Sequence, residues 1–139
     1  MELRLFLVAD YASLDSEGKL NVMGIFNNIR STDFPARHPE LQLIISFNAT
    51  PAEAGQTRNL TVRLLEIDGE DVLPVMTREF TVPEYQRRPI EVNHIIKIRD
   101  IVFPKEGSYE FRVLVDDDDK GGYSFTVSRI EDESETEPS

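Results

Sequence analysis

Apolar residues fall at alternate positions through most of the chain, most clearly near its C-terminal end. In 107–130, GSYEFRVLVDDDDKGGYSFTVSRI, Tyr109, Phe111, Val113 and Val115 alternate with Glu110 and Arg112. After a polar turn ending in Gly121-Gly122, Tyr123, Phe125 and Val127 alternate with Ser124, Thr126 and Ser128. Period-two alternation of β-branched and aromatic residues around an Asp/Gly-rich connection predicts an antiparallel hairpin.

Six further strands precede it. Leu3, Leu5 and Leu7 face one side of the first, with Phe6 and Val8 on the other, which predicts a strand covered on both faces. The second spans 20–28, and Gly24 within it marks a bulge or a close backbone approach. A loop with two prolines, 30–40, crosses between layers to a third strand at 41–50, whose run Leu43-Ile44-Ile45 suits the depth of a sandwich. Leu60, Val62 and Leu64 define the fourth, followed by Asp68-Gly69, the dipeptide of two-residue type I′ hairpins. The fifth, 71–82, contains Pro74 and so belongs at an edge or a break; the sixth, 90–98, alternates Ile90, Val92, His94, Ile96 and Ile98 with polar residues.

About eight short strands with no helical window predict an all-β fold, an antiparallel β-sandwich. Gly107-x-Tyr109 entering the seventh strand has the form of a tyrosine corner, whose hydroxyl bonds upstream backbone, and this favours an immunoglobulin-like arrangement. The cysteines and tryptophan of true immunoglobulin domains are absent, so jelly-roll and C2-like topologies stay open.

Composition narrows the setting. A chain of 139 residues suits a single domain, placed at 1–130; the remainder, 131–139, is acidic, nearly devoid of apolar residues and predicted to be disordered. There is no cysteine, hence no disulfide, thiolate metal site or cysteine nucleophile. No signal peptide or spanning helix is read, and the cytoplasm is the expected location. A net charge of −11 with no basic stripe disfavours nucleic acid and anionic membrane as partners.

Several stretches together carry a likeness: VADYASLDSEGKLNVMGIFNNI, RHPELQLII, LLEIDGEDV and FPKEGSYEFRVLVD. They resemble a family of small bacterial proteins with no assigned function, over nearly the whole chain to about Ile130. The anchors are Asp10, Gly18-Lys19-Leu20, Gly24, Phe26, Asp68-Gly69, Gly107, Tyr109 and Phe111. The resemblance implies the architecture and a bacterial, non-secreted setting; it implies no activity.

Candidate chemistry is sparse. Asp116, Asp117, Asp118 and Asp119 at the tip of the last hairpin could serve a hard cation such as Ca²⁺, with Asp10, Asp15 or Asp33 contributing from a second loop. Consecutive strand residues point to opposite sides, however, and the EF-hand spacing is absent, so a solvated turn is the stronger reading. His94 shares the parity of its apolar neighbours and reads as a neutral core histidine; His38 lies in a proline-bounded loop open to function. Arg87-Arg88 beside Tyr85 forms one basic loop. No hydrolase elbow, phosphate loop or cofactor motif is present. The expectation is a non-enzymatic cytoplasmic interaction module that contacts a protein partner, or a second copy, through loops or a strand edge. The alternative is a small-ligand or carbohydrate binder, with Ca²⁺ at the aspartate tip.

Overall fold

The computed structural model describes residues 1–84 and 90–130; the acidic segment 131–139 and the Arg87-Arg88 loop lie outside them. Nine strands are formed among the described residues: β1 Glu2–Leu14, β2 Leu20–Ile25, β3 Asn28–Ser31, β4 Ala36–Ala49, β5 Thr57–Glu66, β6 Met76–Thr81, β7 Ile90–Phe103, β8 Gly107–Val115 and β9 Asp118–Arg129. They make a two-sheet β-sandwich, with β2-β1-β4-β7 as the first sheet and β3-β9-β8-β5-β6 as the second. The inner faces meet in one apolar core. Phe6, Val8, Leu41, Leu43, Ile45, Phe47, Ile101 and Phe103 of the first sheet pack on Leu60, Val62, Leu64, Phe111, Val113 and Phe125 of the second.

The expected second strand is two strands in different sheets. Gly24 has φ +75°, a left-handed conformation that disfavours any side chain. A Cβ there would also lie 2.5 Å from the Asp10 carboxylate. Ile25 beyond it still pairs with Ala9 in unbroken register, so Gly24 marks a close approach and not a bulge. After Ile25 the chain leaves the first sheet, and β3 adds parallel to β9, Ile29 opposite Val127, so the sandwich is not wholly antiparallel. The Tyr123 hydroxyl fastens the crossover by donating to the Phe26 carbonyl at 2.6 Å.

The expected loop at 30–40 does cross between layers, yet strand begins again at Ala36. Pro39, which has no N–H to give, falls between the paired positions His38↔Ile101 and Glu40↔Arg99, across from Asp100 with φ +56°. Both strands change facing there: Ala36 and Leu41, and likewise Ile98 and Ile101, are all in the core. This irregularity lets β7 continue to Phe103 where alternation had suggested an end at 98. By contrast the fifth expected strand shortens to Met76–Thr81, with only a single bridge, Leu65↔Asp71, before Pro74.

Two turns differ from expectation in a related way. At Asp68-Gly69 the Gly69 N–H donates to Glu66 and the Glu66 N–H to Glu70, both at 2.8 Å, and Gly69 alone has positive φ. That is a three-residue loop with a glycine bulge rather than a type I′ turn. The tight two-residue turn is instead Asp116-Asp117, with φ 49° and 68°, joining Val115 to Asp118. Gly121 and Gly122 lie inside β9, where a Cβ on Gly122 would strike the Phe111 carbonyl at 2.7 Å. The tyrosine corner is present: the Tyr109 hydroxyl donates to the Lys105 carbonyl, four residues upstream.

Candidate functional site

The sequence-nominated residues do not assemble into one site. Asp116 accepts the Asn59 N–H at 2.9 Å and the Arg58 guanidinium at 3.0 Å, and these, the backbone bond first, hold its pKa below the usual carboxylate value. Asp118 pairs with Lys120 at 2.9 Å, while Asp119 binds Arg112 and accepts the Gly121 N–H. These three carboxylates are thus drawn to three different cations, with Asp117 left at the tip. Asp15 is committed to its own turn, accepting from Glu17 and Lys19 at 2.8 and 2.9 Å. Among the described residues no group of three or more potential metal ligands converges.

His94 is buried between Phe47 and Phe80, the latter ring edge-on at 4.7 Å. Burial, reinforced by the charge of Arg78, lowers its pKa to about 4, so it is neutral at pH 7. His38 lies against Phe26 with the rings tilted by 46° and 5.7 Å between centroids, in a cleft of about 240 Å³ shared with Asp10, Asn28, Ile29 and Arg30. Burial lowers its pKa too. His94 sits opposite Ile45, seven residues along β4 from His38, which separates the two histidines by roughly 23 Å at about 3.3 Å per residue.

The feature that strand-by-strand reading missed is the contrast between the two outer faces of the sandwich. On the second sheet Arg63 lies directly opposite Arg112. Two like charges in register would destabilise the pair, and each is neutralised: Arg63 by Asp71 at 3.0 and 3.1 Å, Arg112 by Glu110 at 2.9 Å and by Asp119. Asn28 continues this polar surface by bonding Ser128 at 2.9 Å. A cleft of about 510 Å³ opens on the same side, lined by Glu110, Ser108, Ser124, Thr126 and the exposed Ile67.

The first sheet presents the opposite character. Its register places Leu7, Ile44 and Ile95 in one row, Leu5, Ser46 and Asn93 in the next, and Ile25, Ala9, Gln42 and Lys97 in a third. Leu20 and Val22 extend the apolar strip beside Ala12. Ile44 is fully buried, and among the described residues the apolar cluster around it draws only on β1, β2, β4 and β7. The polar members are turned inward on one another. Ser46 donates to Asn93 at 2.6 Å and accepts from Arg4 at 3.2 Å, while the buried Gln42 accepts the Ala12 N–H at 3.1 Å. Burying Ser46, Asn93 and Gln42 costs little, because these polar groups already have partners. The irregularity between Leu3 and Leu5 turns Leu3 into the core, so the expected Leu3–Leu5–Leu7 stripe is split, and among the described residues its outer half is uncovered.

Residues 4–128 match the model of a family of unknown function, DUF6941. No curated protein matches the chain. Among solved structures, the alkylpurine DNA glycosylase AlkC of Pseudomonas fluorescens, bound to DNA containing an abasic site analog, is similar at 13% identity and a TM-score of 0.43. The match covers 73% of this chain and 27% of that one, and at this level it carries no argument about function. No helix among the described residues is long and apolar enough to cross a membrane.

Proposed function

The chain belongs to this family of unknown function, so its kin lend it no activity, and from its surface we propose that it is a non-enzymatic interaction module. It binds polypeptide through the outer face of the β2-β1-β4-β7 sheet. The contrast between that apolar face and the ion-paired face of the other sheet carries this reading. Contiguous uncovered apolar surface on a folded chain marks an interaction site. The absence of cysteine supports a reducing, cytoplasmic setting.

A photo-crosslinking residue at Ile95, with one at Ser124 on the other sheet as control, tests the proposal. The expected result is a defined polypeptide adduct from position 95 that vanishes when Leu7→Glu is added, and none from position 124. Equal labelling from both positions overturns it.

A second reading, a small polar or carbohydrate ligand, is supported by the hydroxyl-lined cleft at Ser108, Ser124 and Thr126. A binder of the native state raises the melting temperature, so a flat response across a sugar panel overturns this reading.

A further inference from the structure

We infer that the occupant of this apolar face is a second copy of the same chain, packed sheet on sheet about a two-fold axis; this rests on the interaction reading above. Charge makes the case. The protein carries a net −11, yet the six charged strand residues flanking the apolar rows of this face sum to zero, with opposite net sign at its two ends. At one end Lys97 and Arg99 stand with Glu40, a net +1; at the other Glu2 and Glu91 stand with Arg4, a net −1. Arg99 pairs with Glu40 at 3.1 Å and Arg4 with Glu91 at 3.7 Å, leaving Lys97 and Glu2 without ion-pair partners among the described residues.

A two-fold axis lying between the sheets and across the strands reverses strand direction. The Lys97 end of each face then meets the Glu91 end of its partner. An isologous interface requires this self-complementarity, and a strongly basic or acidic partner would gain nothing from a face of zero net charge. On an otherwise acidic molecule, it is a surface where an identical molecule can approach without local repulsion.

Ala9, Ala12 and Ile44 are already buried within the sheet and Leu5, Leu7, Leu20, Val22 and Ile95 are half-buried, so the accessible apolar area of this face is small and the expected dimer is weak.

Sedimentation analysis of the full chain across the micromolar range tests the inference. The expected result is a concentration-dependent dimer, weakened at least about tenfold by Leu7→Glu and by Lys97→Glu or Glu91→Lys singly. Combining Lys97→Glu with Glu91→Lys should restore association, and Ser124→Glu should leave it unchanged. Lys97 is exposed, so its variant keeps the fold, which circular dichroism verifies. A chain that stays monomeric throughout, or a charge swap that fails to restore the dimer, overturns the inference. The docking reading fails separately, on the loss of positional selectivity in crosslinking at Ile95.

Discussion

Asp10 and Gly24 interlock across the β1–β2 pair: the carboxylate of Asp10 occupies the space that a Cβ on Gly24 would need, 2.5 Å away. Gly24 also has φ +75°, so the left-handed backbone there, one residue before β2 ends at Ile25, depends on the absence of a side chain. Gly24→Ala is expected to cost about 1–2 kcal/mol from backbone strain alone. Asp10 can swing aside, so adding Asp10→Ala should recover the steric part and leave the strain. Urea denaturation of both single variants and the double variant measures the division.

Tyr109→Phe keeps the ring that packs on Phe103 and Phe125 but removes the hydroxyl bond to Lys105. The expected loss is about 1 kcal/mol, the net worth of one hydrogen bond. Thermal unfolding reads it. A neutral result would show that water replaces the corner bond without penalty.

His94 makes stability depend on pH. Its folded pKa of about 4 lies below the ordinary value of 6.5, so the unfolded chain binds the extra proton. The associated stability is complete above pH 6.5 and is lost progressively as pH falls toward 4, at most about 3 kcal/mol in all. His94→Leu should flatten the stability profile in that window without altering it above pH 7. Denaturation midpoints at several pH values decide the matter.

Calcium should leave the melting temperature unchanged. Asp116, Asp118 and Asp119 would each have to abandon Arg58, Lys120 or Arg112 before converging on an ion. Calorimetry in calcium and in chelator checks this; a rise of several degrees in calcium would mean that the tip rearranges around the cation.

Strand positions were legible wherever one face met the core and the other met water, as in β8 and β9, because period two then shows in the residue types. They were least legible where the facing changes. Nothing local at Pro39 and Asp100 announces that both strands reverse together, since the irregularity exists only through their pairing. Likewise Gly24 signalled a bulge or a close approach, and only the pairing with β1 shows it to be the latter, while the destination of β3 depends on the open edge of β9, about a hundred residues away in sequence. Of the nominated site residues, His94 was legible by parity. The aspartates were legible only as a turn, because their arginine and lysine partners come from register.

From sequence alone the chain is determined to be an all-β sandwich with a tyrosine corner, a neutral core histidine and an aspartate turn, each a matter of local alternation or turn chemistry. The continuous apolar runs at Leu5–Ala9 and Leu43–Ile45 also state that both sides of those strands are apolar. Tertiary structure decided which side is covered. The second sheet packs over Phe6, Val8, Leu43 and Ile45, while Leu5, Leu7, Ile44 and Ile95 gather on the opposite side in a cluster that, among the described residues, the second sheet does not join. Hydrophobicity is a property of the residue, but burial is a property of the arrangement, and the candidate interface lies in the difference between them.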